Sequence, residues 1–270
     1  MMSLTNINLS KLSIFDSMIA ISKIIREDFR LKYVMNELND KVNEAKIYMS
    51  KELTKVCQLK KLLQLFYAHW KFGTACGIYK LSDTLWIDYV LENKQGAAVS
   101  LGIILLHIAQ KLKIPLKPVI FPTQLILKIY WTENNETWFI DPFNGEILDN
   151  HTLEIWLKGN ISPTAELYKD DLNESKSLLV IKNVLRNLKT ALMEEEKIEL
   201  ALNVNKILLE ISPNDPYEIR DRGLIYAQLE CNHVALTDLI HFVESCPEDP
   251  ISELIKIKIH AIKRKKVILH

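Results

Sequence analysis

Cys76 stands in Phe72-Gly73-Thr74-Ala75-Cys76-Gly77, where flanking glycines can expose a backbone turn, and Ser100 follows Gly96 at the head of an apolar run. Either side chain could act as a nucleophile in acyl transfer or hydrolysis. That chemistry needs a thiol or hydroxyl at a helix N-terminus, a histidine base on a neighbouring strand and a carboxylate or amide to orient the base. Asp141 is of the orienting type. His69 and His107 could be bases, yet both fall within helical apolar patterns, where a packed or surface histidine is the simpler reading. No His-x-x-x-His pair occurs, and Cys57, Cys76, Cys231 and Cys246 form no Cys-x-x-Cys pair. No metal site, redox pair or cofactor is therefore expected.

The elements that must position these groups follow from punctuation and periodicity. The chain has seven glycines and nine prolines, and no proline precedes Pro115. Ile14, Met18, Ile21 and Ile25 recur at helical spacing, as do Leu59, Leu62, Leu63 and Phe66, so residues 10–92 read as four or five helices. The polar bend Asn93-Lys94-Gln95-Gly96 then opens an apolar helix from about Val99 to Leu112, which Pro115 stops. Extended segments follow at 118–121, 125–131 and 137–143. The turn Glu133-Asn134-Asn135-Glu136 joins the last two, and Asn144-Gly145 makes the next turn. Beyond about residue 176 the strand signals cease. Ser212-Pro213-Asn214-Asp215-Pro216 recurs as Cys246-Pro247-Glu248-Asp249-Pro250, and Ala201, Leu202, Leu208 and Glu210 match Ala235, Leu236, Phe242 and Glu244 at the same offset of 34 residues. That is the period of a tetratricopeptide-like helix pair, with Gly223 and Tyr226 on the first helix of the better copy and Ala235 on its second. The earlier copy carries Lys189 where a small residue is usual, and the third is at most a capping helix from Ile251 to about Ile262.

Composition limits the partners. The 270 residues are 48% hydrophobic and 25% charged, with 34 basic and 34 acidic side chains giving a formal net charge of +0. A balanced charge removes the global attraction to nucleic acid or anionic membrane. The run Lys263-Arg264-Lys265-Lys266 reads as a solvated tail, and Trp131, Trp138, Phe139 and Phe143 read as core rather than as a base-stacking platform. The N-terminal stretch lacks a cleavable apolar segment. The longest apolar run, 97–109, includes Ser100 and His107 and is too short to span a bilayer. A soluble cytoplasmic protein is expected.

The middle region, with Gly96-Ala97-Ala98-Val99-Ser100-Leu101, Phe121-Pro122-Thr123-Gln124-Leu125 and Phe139-Ile140-Asp141-Pro142-Phe143-Asn144-Gly145, resembles the transglutaminase-like superfamily of papain-like folds. The resemblance implies a Cys, His and Asp in that chain order. Ala98 falls at the cysteine position, Gln124 at the histidine position and Asp141 at the aspartate position. An alanine has no nucleophile and a glutamine amide takes no proton at neutral pH. A shift of two residues offers Ser100 but still no histidine. Adding the repeat, with Asp215-Pro216-Tyr217-Glu218-Ile219-Arg220-Asp221-Arg222-Gly223, the whole chain resembles the bacterial YchA family, also called the Sir-B-type family. That resemblance implies a regulatory role.

The expected architecture is α+β and mostly helical. A transglutaminase-like domain of helices and a small antiparallel sheet over residues 1–175 precedes tetratricopeptide-like helices over 176–270. The expected function is that of a non-catalytic regulatory or protein-interaction protein. Arg220, Leu224 and Ala227 share one face of a repeat helix that could bind a protein or peptide segment, or pack internally. The alternative is a hydrolase or acyltransferase with a relocated nucleophile, Cys76 or Ser100.

Overall fold

The computed structural model describes residues 9–49 and 54–267; the side chains of Lys265 and Lys266, half of the basic run, lie outside the described residues. The described residues divide into two compact units, one up to Val184 and the other from Leu185.

The first unit begins with α1 (Ile14–Ile25), whose start is fixed by Ser13: its hydroxyl accepts the Asp16 N–H at 3.0 Å. Met18, Ile21 and Ile25 are buried on one stripe, as the helical spacing requires. Then come α2 (Leu31–Tyr48) and α3 (Lys55–Leu63), the latter running into a π-helical segment at Gln64–His69 where Trp70 N–H reaches back to Leu65. A short strand β1 (Gly73–Thr74), a 3-10 turn (Leu81–Thr84) and α4 (Ile87–Asn93) follow. Lys94 adopts the left-handed conformation (φ 59°) and turns the chain into β2 (Gln95–Gly96), which pairs in parallel with β1. The apolar helix α5 (Ala98–Lys111) comes next.

An antiparallel sheet of order β3-β4-β5-β6 lies against α5, built from Lys117–Ile120, Leu125–Trp131, Glu136–Ile140 and Ile147–Leu148. Alternation along β4 divides its side chains between two faces. Ile126 joins Val119, Phe121, Phe139 and Leu148 in a cluster with Leu153 and Leu157 of α6 (Asn150–Asn160). Leu125 and Leu127 point the other way, onto α5, where a Cβ placed on Gly102 would come within 2.6 Å of Leu125 Cδ2. Glycine at 102 lets helix and sheet approach closely. The third expected strand ends earlier than residue 143, at Ile140, because Asp141 and Gly145 close a turn: the Gly145 N–H donates to the Asp141 carbonyl at 2.8 Å, with Gly145 at φ 77°.

The division between the units falls inside α7 (Ser177–Glu194), nine residues beyond the expected boundary at 175/176. The second unit continues with α8 (Ile198–Ile211), α9 (Pro216–Gln228), α10 (Asn232–Ser245) and α11 (Pro250–Val267). Asp215 and Pro216 start α9 as N-cap and first helical residue. Gly223 is buried against α10, where a Cβ would lie 3.0 Å from Leu239 and Asp238 side-chain atoms, so this glycine has the close-packing role that the repeat pattern predicts. Ala235, Leu239 and Phe242 of α10 bury against Ile255, Ile259 and Ile262 of α11.

Candidate functional site

The start of α5 is held by backbone geometry and one hydroxyl. Gly96 sits where a Cβ would come within 2.9 Å of both Ser100 Oγ and Val90 Cγ1, so glycine lets the bend before the helix pack closely on both side chains. Ser100 is fully buried, and its hydroxyl reaches the carbonyls of Thr84 and Ala97; the Ala97 N–H also donates to Thr84 O, at 3.0 Å. Ser100 therefore ties α5 to the preceding 3-10 turn. Its proton is committed to main-chain oxygens and its oxygen is closed to substrate.

Ala98 is the first residue of α5 and is buried. One turn on, Gly102 faces Leu125 and Pro142, the residues that directly follow Gln124 and Asp141. This packing sets α5 against the start of β4 and the turn after β5. Gln124 precedes β4 and donates from Nε2 to Asp141 Oδ1 at 3.2 Å. The same oxygen accepts the Phe143 N–H at 2.9 Å. Asp141 is 6% exposed, and burial pushes its carboxyl above the usual aspartate range, against the opposing pull of the Phe143 N–H and the Gln124 amide. Asp141 thus caps the turn after β5, the structural role that an Asp before proline suggests, while also holding Gln124.

Tyr67 is a participant that spacing alone did not single out. The π-helical segment carries it to the turn, where its hydroxyl donates to Pro142 O at 2.8 Å. Burial raises its hydroxyl pKa far above the ordinary tyrosine value, so it remains a donor throughout the physiological range. The helical apolar spacing around Phe66 concealed it, since a π-turn shifts register without leaving a compositional mark.

Cys76 lies elsewhere in the same unit. It is exposed, receives the Gln95 side-chain amide at 3.4 Å and borders a cleft of about 350 Å³ with Asp83, Thr84 and Asn93. The histidines considered as bases are placed apart from it. His69 is exposed and 3.1 Å from Glu44. His107 is buried against Phe15, the ring centroids 3.9 Å apart and the planes tilted by 39°, and burial pushes its pKa down to about 4. Among the described residues no hydrogen bond joins a histidine to Cys76 or Ser100, and no group of three or more His, Cys, Asp or Glu could hold a metal ion.

In the second unit, the face marked by Arg220, Leu224 and Ala227 is engaged within the repeat. Leu224 and Ala227 are partly buried against the cluster of α10 and α11, and Arg220 lies over the rings of Tyr217 and Phe242 while paired with Asp221. Small and aliphatic side chains on a repeat helix serve neighbour packing as readily as ligand contact, and here they serve packing. Lys189, the departure from the repeat pattern, is buried and ion-paired with Glu218 and Asp221.

A helix N-terminus set against an antiparallel sheet that carries the Gln124–Asp141 pair, with helix pairs following, defines a transglutaminase-like domain joined to tetratricopeptide repeats. Residues 32–186 match the model of the transglutaminase-like superfamily, and residues 188–260 match a tetratricopeptide repeat. Over 270 residues, and over the whole of both chains, the protein is 67% identical to a UPF0162 protein of Buchnera aphidicola subsp. Schizaphis graminum. On the same full coverage it is 56% identical to Protein SirB1 of Salmonella typhimurium and 53% identical to UPF0162 protein YchA of Escherichia coli K12. The chain belongs to this transglutaminase-like family of YchA and SirB1. No solved structure matches it. Among the described residues, no helix is long and apolar enough to cross a membrane.

Proposed function

We propose that this chain is a non-catalytic, cytoplasmic protein-interaction or regulatory protein, in which the transglutaminase-like fold serves as a binding scaffold. The observation that carries the reading is the Gln124–Asp141 hydrogen bond, together with an alanine, Ala98, as the first residue of α5. Where a working triad needs a carboxylate to orient an imidazole, Asp141 instead holds an amide, and Ala98 at the start of α5 has only a methyl group. Tetratricopeptide repeats generally mediate protein–protein contacts, which supports a partner-binding role for the chain.

A second reading rests on Cys76, an exposed thiol on a polar cleft. On that reading the chain is a hydrolase or acyltransferase. Mass spectrometry of the full chain after incubation with an activated acyl ester, p-nitrophenyl acetate, separates the two. The interaction reading expects no acyl adduct concentrated at Cys76 or Ser100, and equal ester turnover by the wild type and by the Cys76→Ser and Ser100→Ala variants. A stoichiometric adduct at either residue, with turnover lost on its replacement, would establish the enzyme and end the scaffold reading.

A further inference from the structure

The last repeat helix has two apolar faces. Ile255, Ile259 and Ile262 of α11 are buried against α10, whereas Ile251, Leu254, Ile257 and Ala261 form a second stripe at successive helical positions on the outward side. Leu254 and Ile257 are 65% and 66% exposed. Charge is distributed unevenly along the same helix. Glu248 and Asp249 precede its start and Glu253 lies in its first turn, while Lys263 and Arg264 lie near its other end and are exposed. Stacked repeats bury such faces against a neighbouring helix.

We propose that this stripe pairs α11 with α11 of a second copy of the chain, the two helices running antiparallel. Antiparallel pairing is the arrangement that the charges favour, since it sets the acidic end of each helix beside the basic end of the other and opposes the helix dipoles. With the two-fold axis between Ile257 and Lys258, Leu254 faces Ala261 of the second copy, and Glu253 comes within two residues, about 3 Å along the helix, of Arg264 of the second copy. Glu253 and Arg264 are eleven residues apart, about three turns, and so flank the same side of the stripe. Glu253 already pairs with Lys256 in its own helix at 2.6 Å, both side chains being exposed, and exchanges that contact for a shared one. Lys258 flanks the other side of the stripe near the axis. A single helix pair buries an area at the low end for specific association, so the dimer dissociates on dilution.

Sedimentation equilibrium of the full chain over a range of concentrations tests this pairing. The mass is expected to rise from 31.3 kDa towards twice that value. Leu254→Glu and Ile257→Glu each weaken association about tenfold or more, leaving the circular dichroism spectrum unchanged because both side chains face solvent in the monomer. Should either glutamate disturb helicity, Leu254→Ser with Ile257→Ser gives the same readout. Glu253→Arg and Arg264→Glu each weaken the dimer, and the two together restore it. A single 31.3 kDa species at every concentration overturns the proposal. So does a dimer that survives Leu254→Glu, which would locate the contact on another surface, or a charge exchange that fails to restore pairing.

Discussion

Gln124 Nε2 stands 3.2 Å from Asp141 Oδ1, the oxygen that also accepts the Phe143 N–H at 2.9 Å. One carboxylate oxygen thus closes a turn and fixes the amide that occupies the base position of the fold. Burial costs Asp141 more than these two donors return, which is why its carboxyl titrates above the ordinary aspartate value.

That direction sets a pH dependence. A carboxyl raised in the folded state binds its proton more readily there than in the unfolded chain. Its contribution to stability is full below the unfolded value and is lost as pH rises through the folded value. Asp141→Asn removes the titration. The stability difference between wild type and this variant should therefore shift in favour of wild type as pH falls from neutral through the carboxylate range. Gln124→Leu deletes one donor to the buried carboxylate and should cost about 1–3 kcal/mol at neutral pH, with a smaller loss once Asp141 is protonated. Urea unfolding of each variant across pH measures both effects; an unchanged wild-type-minus-variant difference would contradict the burial argument.

His107 carries the opposite sign. Burial, with a smaller contribution from Lys111 and opposed by Asp16, lowers its pKa from 6.5 to about 4, so the ring is neutral on Phe15 at pH 7. The unfolded chain takes up the proton first. The stability that His107 contributes is present above about 6.5 and lost as pH falls towards about 4. His107→Phe retains an aromatic contact with Phe15 and removes the titration. The variant's denaturant midpoint should fall less than that of the wild type between those two pH values, and parallel curves would show that folding leaves the proton affinity of the imidazole unchanged.

How much of this was legible beforehand differs between elements. Helices such as α1 and α5 declare themselves, because Met18, Ile21 and Ile25, or the run after Gly96, repeat at the period of the buried face. The repeat offset of 34 residues likewise pointed to the paired helices α9 and α10, and Gly223 fills its expected place. The short strand β6 and the helix α6 leave no such mark in the sequence. Two strand residues carry no periodicity, and α6 depends on the Asp149 side chain accepting the Thr152 N–H at 2.8 Å and on Leu153 and Leu157 finding the sheet. The positions Ala98, Gln124 and Asp141 could be named from the family pattern, but the amide–carboxylate bond between two of them could not. It depends on strands β4 and β5 being in register, Leu127 opposite Ile140, which places the residues before one strand and after the other side by side.

Lys189 shows the same limit in the repeats, since its partners lie 29 and 32 residues away. Read alone it breaks the small-residue pattern; in the structure its ammonium pairs with Glu218 and, at 2.6 Å, with Asp221. Arg186 adds a second cation to Glu218 at 2.7 Å, and Asn205 donates to the Glu218 carbonyl at 3.0 Å. With Lys189 and Glu218 side chains only 3% and 2% exposed, removing one charge leaves its partner in a poorly solvated site. Glu218→Ala should therefore destabilise the repeat helices by about 3 kcal/mol. Lys189→Met should cost less, because Arg186 still meets Glu218 and methionine fills the stem's volume. The double variant should lose less than the sum of the two, the signature of a coupled pair in a double-mutant cycle. Guanidinium unfolding of the full chain, followed by helical circular dichroism, provides the four free energies. Additive losses would mean that the cluster contributes through packing alone.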